Sequence, residues 1–219
     1  MQIIIPMSGF GERFRSAGYI VPKPLIEVEG KTIIQHVVEM FSNEDDFIFI
    51  CNEDHLNEPL YRMRSILKSF CPDGEIVSIP PHKLGPVHAV MQVIDSIDLG
   101  QQTIVNYCDF TCYWDYSHFQ RYVKDVDADG MIPSYRGFHP HTLWSNYYAY
   151  VKEEDGLASD IQEKQPFTNN PRQEFASSGT YYFKTGALMR QYFQRCIDER
   201  LLVSDEYYVS MVYKPMMQD

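Results

Sequence analysis

No stretch of the chain approaches the roughly 18 consecutive apolar residues of a membrane span, and Met1 leads straight into a strand pattern with no basic leader or small-residue cleavage site. A cytoplasmic chain is expected, with no membrane partner. Cysteine is scarce: Cys51, Cys71, Cys108, Cys112 and Cys196 are odd in number and lack framework spacing, which excludes a disulfide scaffold and predicts reduced thiols. Cys108 and Cys112 have no second pair at finger spacing, so no zinc site is read there. Positive charge is also short, 19 Lys and Arg against 30 Asp and Glu, for a formal net charge of −11. Such a chain repels nucleic acid at long range, so any phosphate has to be held by local donors. No repeat, low-complexity tract or linker divides the 219 residues, of which 44% are hydrophobic, enough for one substantial core and a single domain over 1–219.

Two familiar glycine patterns are missing as well. After the apolar run Ile3-Ile4-Ile5, which reads as a buried strand, come Ser8, Gly9 and Gly11. The dinucleotide fingerprint needs a third glycine where Phe14 stands, and the Walker loop needs Gly-Lys-Ser/Thr where Glu12-Arg13 follow Gly11. The glycines alone would equally serve a tight strand-to-helix turn. With Arg13 and Pro22-Lys23-Pro24-Leu25 nearby, however, the stretch offers an anion both backbone amides and two cations. A nucleoside triphosphate site is the working expectation.

The opening strand, the Gly-x-Gly-x-Arg loop and the Pro22-Lys23-Pro24-Leu25-Ile26 element resemble the signature of the nucleotidyltransferases that join a nucleoside triphosphate to a sugar phosphate or similar phosphate ester. By that resemblance Met7, Ser8, Gly9 and Gly11 wrap the triphosphate, and Arg13 and Lys23 neutralise it and carry catalysis. The resemblance also implies an enzyme that uses Mg2+, and a homodimer is a candidate assembly. CTP is favoured through the Pro6-Met7-Ser8-Gly9 opening of short family members. The acceptor is then a sugar phosphate, phosphocholine or a phosphorylated amino-acid derivative for surface polysaccharide.

Along the chain, apolar runs and turn signals alternate as in an α/β fold, a three-layer sandwich with a mostly parallel, Rossmann-like sheet. Helices are expected over 31–41, 56–70, 116–126 and 186–200, with another running from the 80–90 loop toward Ile97 and a last one opening at Asp205. Strands are expected over 47–51, 75–79, 102–110, 130–135 and 176–183, with an exposed-edge strand over 146–151. Gly85-Pro86 stands where the family places a base-facing Gly-Thr, and His82, Lys83 and His88 are weaker candidates there. Asp109 ends a strand as the family's metal carboxylate does, with Cys108 in place of its Gly; by itself an Asp there more often caps a helix or forms a turn. Glu206 or Asp205 is the expected second metal carboxylate, although acids before a helix also have a structural use. Glu163-Lys164-Gln165-Pro166 resembles the Glu-Lys-Pro element, which gives Lys164 the acceptor phosphate and Glu163 its polar groups. Gly179 and Thr180 lie in the strand expected to floor the substrate pocket, with Ser177 where the family has Asn, and the substrate-binding part spans about 135–185. The loop at His139 and His141 is assigned no metal chemistry, because Pro140 fixes a bend between them.

Two other readings stay open. A glycosyltransferase of the same fold would hold metal with Asp-x-Asp, but Asp109-Phe110-Thr111 departs from that pattern, and Asp125-Val126-Asp127 follows a predicted helix. A non-catalytic nucleotide-binding module would bind triphosphate without releasing pyrophosphate.

Overall fold

The computed structural model describes residues 1–139 and 147–219. β1 (Gln2–Met7) is buried at every position and runs through the glycine loop into a short helix, α1 (Glu12–Ser16). The hairpin β2 (Glu27–Val28) and β3 (Lys31–Thr32) leads to α2 (Ile33–Val38), capped where Thr32 Oγ1 accepts from the Gln35 N–H at 3.3 Å. This helix is shorter than the 31–41 expected, because Lys31 and Thr32 belong to the hairpin. β4 (Phe47–Asn52) is fully buried, and α3 (Glu53–Asn57) and α4 (Met63–Phe70) replace the single 56–70 helix. Pro59 interrupts that stretch, and Arg62 turns the chain at φ +47°.

β5 (Glu75–Ile79) and α5 (Gly85–Gln92) follow, the helix stopping short of Ile97, and β6 (Thr103–Asn106) ends well before Phe110. α6 (Tyr116–Val126) matches its expected span. The 130–135 strand is split by Pro133 into β7 (Gly130–Met131) and β8 (Ser134–Tyr135), which join different sheets. His141 and the start of the 146–151 strand lie outside the described residues. β9 (Ala149–Glu154) is not an exposed edge, since it pairs with both β10 (Leu157–Glu163) and β11 (Phe175–Ser177). β12 (Thr180–Phe183), α7 (Gly186–Asp198) and α8 (Val209–Met216) complete the chain.

The main sheet has the order β5-β4-β1-β6-β12-β7, with β5, β4, β1 and β6 parallel and β12 antiparallel to both its neighbours. Strand alternation divides its apolar residues between two helical layers. Ile3, Ile5, Phe49 and Ile104 pack with residues of α2, α4 and α6, while Ile4, Ile50, Val105 and Phe183 pack with residues of α5, α7 and α8. This is the three-layer α/β arrangement expected from the sequence. A second, antiparallel sheet, β10-β9-β11-β8, comes from residues 134–177. The chain returns from it to the main sheet at Gly179, whose φ of +73° favours glycine.

The connections decide where a ligand fits. From β1 the chain winds outward through β4 to β5, then returns to β6 on the other side of β1. The loops leaving the carboxyl ends of β1 and β6 therefore diverge and open a crevice at the switch point.

Candidate active site

A cavity of about 650 Å³ occupies that crevice, bounded by the β1 loop, the Lys23 turn, the turn before α5, the end of β6 and the second sheet. Its size suits a small organic ligand. Met7, Ser8, Gly9, Gly11, Arg13, Lys23, Gly85, Pro86, Asp109, Glu163, Lys164, Gly179 and Glu206 all line it. Two of the residues expected there do not. Thr180 is fully buried on β12 and donates its hydroxyl to Asn106 Oδ1 at 2.6 Å, a bond that ties β12 to β6. Asp205 sits in an exposed two-residue turn with Ser204, both at positive φ, between Val203 and Glu206, which exchange backbone bonds of 3.0 and 3.1 Å. The last helix accordingly starts at Val209 rather than at the acids.

On the β1 side, Phe14 and Arg15 N–H close on Gly11 O, and Gly11 takes φ +63° at the start of α1. Among the described residues no protein acceptor takes the N–H groups of Gly9, Phe10 and Gly11. A Cβ on Gly9 would meet nothing within 4 Å, and its φ is not positive, so the fold itself does not demand glycine there. Pro22 and Pro24 fix the turn that carries Lys23, whose Cβ lies 3.6 Å from where a Gly11 Cβ would be. Lys23 Nζ is ion-paired with Asp109 Oδ2 and lies 5.2 Å from the Phe14 ring centroid. The Arg13 guanidinium sits 4.4 Å over the Tyr147 ring and so spans from the β1 loop to the second sheet's side.

On the α5 side, Gly85 is required by sterics. At φ +85°, a Cβ would come within 2.7 Å of Tyr207 O and 2.8 Å of Tyr207 N. That close approach lets Tyr207 N–H donate to Leu84 O at 2.9 Å and Val87 N–H to Tyr207 O at 3.1 Å, which staples the Glu206 segment to the cavity wall. His82 Nδ1 accepts from Leu84 N–H at 3.2 Å, leaving the proton on Nε2, which is 3.5 Å from Ser8 Oγ. Burial, and then the neighbouring His88, hold the His82 pKa below its usual value, so the ring is neutral at pH 7. Lys83 reaches back to Glu12 at 2.6 Å.

At the far end, Glu163 is 8% exposed and accepts from Ser210 Oγ at 2.6 Å. Burial pushes its carboxyl up to about 7; the Ser210 bond and then the Lys164 charge oppose this, and Glu206 adds to it. Lys164 adopts φ +60°, a strained conformation for a lysine, and its ammonium donates to Tyr208 Oη. Tyr181, on the strand expected to floor the pocket, joins Tyr107, Phe110, Tyr148 and Tyr208 in much of the remaining wall, and these last four were not anticipated from the sequence. Their signal was present in the 16 tyrosines, several of them doubled as in Tyr147-Tyr148 and Tyr207-Tyr208. Four cations, Arg13, Lys23, Lys83 and Lys164, thus meet in one cavity of a strongly acidic chain, each set against a carboxylate or an aromatic ring.

A family model described as Nucleotidyl transferase matches residues 2–206. The chain belongs to the nucleotidyl transferase family. It is similar to the bifunctional protein GlmU of Ralstonia pickettii, 32% identical over 109 residues that make up 50% of this chain and 22% of that protein. It is 25% identical over 189 residues to GlmU of Methanocaldococcus jannaschii, covering 84% of this chain and 40% of the relative. The chain therefore spans well under half the length of these curated relatives. Among solved structures, the nucleoside-diphosphate-sugar pyrophosphorylase of Vibrio cholerae RC9 superposes with TM-score 0.74 at 19% identity, over 99% of this chain and 88% of that one. A putative glucose-1-phosphate thymidylyltransferase of Bacillus anthracis gives TM-score 0.73 at 16% identity, over 100% and 83%. These two likenesses concern the fold.

Nucleotidyl transferase family members generally use a divalent metal ion. In this chain Asp109 and Glu206 bring carboxylates to the cavity, yet among the described residues no three acidic, His or Cys groups are clustered as a self-sufficient cage. Such a donor set fits Mg2+, which keeps waters and binds through one or two carboxylates plus substrate phosphates. No helix among the described residues is long and apolar enough to cross a membrane.

Proposed function

We propose that this nucleotidyl transferase family member couples a nucleoside triphosphate to a small phosphate ester, with release of pyrophosphate. The observation that carries the reading is the meeting of Arg13, Lys23 and the Gly9–Gly11 amides, which take no acceptor among the described residues, on one side of a cavity with Lys164 and Glu163 on the other. CTP is the triphosphate favoured by the Pro6-Met7-Ser8-Gly9 resemblance, and a sugar phosphate is the acceptor class favoured by the names of the similar proteins. The activated product would serve surface-polysaccharide assembly.

The reaction makes few demands on acid–base groups. A phosphate monoester has a second pKa of about 6, so at neutral pH its dianion attacks the α-phosphorus without a protein base. The new O–Pα bond forms as the bond from Pα to the bridging oxygen breaks, and that electron pair leaves with pyrophosphate. Arg13, Lys23 and the loop amides stabilise the charge that builds on the α-phosphoryl and leaving groups. Asp109 and Glu206 would hold Mg2+, which when bound neutralises phosphate charge. Lys164 would take the acceptor phosphate. Glu163, near half-protonation at pH 7, would both donate to and accept from acceptor hydroxyls.

Pyrophosphate release measured with CTP, UTP, dTTP, GTP and ATP against sugar 1-phosphates and phosphocholine tests the proposal. Lys23→Ala should slow the productive pair by roughly 100-fold, by analogy with loss of one preorganised donor. Unchanged rates would remove Lys23 from the mechanism. Triphosphate binding without pyrophosphate release would favour a binding module, and nucleotide-sugar turnover would favour a glycosyltransferase.

A further inference from the structure

The ion pair between Lys23 and Asp109 joins the two groups that the proposed function assigns to different ligands, the triphosphate and the metal. We infer that this pair is a partner-exchange latch: Lys23 masks the Asp109 carboxylate until a polyphosphate draws the ammonium away, so that triphosphate and divalent cation load together. The inference rests on the proposed function of the cavity.

The two residues are 86 positions apart in sequence and reach the contact from opposite walls, Lys23 from the turn braced by Pro22 and Pro24, Asp109 from the end of β6. The side chains are 25% and 37% exposed, so the pair is open to exchange rather than locked in the core. An ammonium on Asp109 Oδ2 fills the position of a hard cation, which binds oxygen at about 2.0–2.1 Å and is repelled by the adjacent positive charge. Glu206 is the one other carboxylate assigned to the cation, and among the described residues no cage of three such groups forms to offset that competition. Lys23 is also poised for the alternative partner. Its stem packs against Gly11, beside the amides of Gly9, Phe10 and Gly11, which no acceptor among the described residues takes. Polyphosphate oxygens at those amides would compete for the ammonium and at the same time supply the oxygen ligands the cation still needs. Linkage then makes the effect reciprocal: each ligand strengthens the binding of the other.

The test uses Mn2+ as a spectroscopic probe, with bound and free ion counted by electron paramagnetic resonance and no substrate present. Lys23→Met should bind Mn2+ about fivefold more tightly than wild type, the upper range for a partly exposed pair. Lys83→Met, which removes a cavity cation paired elsewhere, should change Mn2+ affinity by less than about twofold. Adding Asp109→Asn to Lys23→Met should abolish the gain, and circular dichroism confirms that each variant is folded. No gain in Lys23→Met, or an equal gain in Lys83→Met, overturns the latch while leaving the metal reading in place if Asp109→Asn still weakens Mn2+ binding. Mn2+ affinity that ignores Asp109→Asn in both backgrounds overturns the metal reading and the latch with it. In the metal-free arm, Asp109→Asn should strengthen inorganic tripolyphosphate binding in the wild-type background more than in the Lys23→Met background. Equal effects in both backgrounds also overturn the latch.

Discussion

Replacing Glu163 by Gln isolates what burying a carboxylate in the cavity does to stability. Burial raises this group from an ordinary value of 4.5 to about 7, so between those pH values the folded chain holds a proton that the unfolded chain has lost. Stability therefore falls as pH rises from 4.5 to 7 and levels off above that. The difference, 7 − 4.5, is 2.5 pH units, or about 3 kcal/mol at 1.36 kcal/mol per unit. Gln keeps an oxygen for the Ser210 hydroxyl, which donates to Glu163 at 2.6 Å, but cannot ionise. Urea melts of Glu163→Gln and wild type at pH 4.5 and pH 8 should then differ by about 3 kcal/mol more at pH 8, in favour of the variant. In a chain of this size that corresponds to about 6–12 °C in Tm. Glu206→Gln should narrow the gap, because Glu206 adds to the raised value. A stability difference between variant and wild type that is the same at both pH values would refute the reasoning.

Other substitutions probe separate parts of the account. Gly85→Ala should destabilise the fold by about 3 kcal/mol, since the new Cβ would collide with Tyr207 backbone atoms at 2.7–2.8 Å, and chemical denaturation measures it. Thr180→Val strips Asn106 Oδ1 of its donor and should cost about 1–3 kcal/mol by the same assay, while KM for either substrate stays unchanged. Nucleotide affinity should fall as pH is lowered below the ordinary imidazole value of 6.5, because protonating His82 forbids the bond its Nδ1 accepts from Leu84 N–H; titration calorimetry of His82→Gln should lose that part of the dependence.

The parts of the fold that were legible in the sequence are those whose patterns have one physical reading. Ile3–Ile5 of β1 and Phe47–Cys51 of β4 are continuous apolar runs because helices cover both faces of their sheet, and such runs are recognisable in isolation. Element ends were less accessible where backbone chemistry outweighed apolar pattern. Pro59 and Pro133 broke a helix and a strand whose side chains continued the pattern on either side. At Gly179 one apparent strand became two, β11 and β12, in different sheets, because a left-handed turn redirects the chain. The interior position of β9 depends on pairing with residues far along the chain, which local alternation does not encode. In the cavity, residues set by short motifs, such as Gly11, Arg13 and Lys23, came from sequence directly. Asp205 and Thr180 did not fit, since one-residue steps along a turn or strand decide whether a side chain meets the cavity or leaves it. Most of the tyrosine wall was missed because aromatic residues in strands read first as core.

The central claim is that the bend after β1 grips a polyphosphate. Residue-resolved amide hydrogen exchange at Gly9, Phe10 and Gly11, with and without saturating nucleoside triphosphate and Mg2+, tests it most directly. Slowed exchange at these three amides, absent with the corresponding nucleoside, is the predicted result. Bound triphosphate that leaves their exchange unchanged would contradict the account.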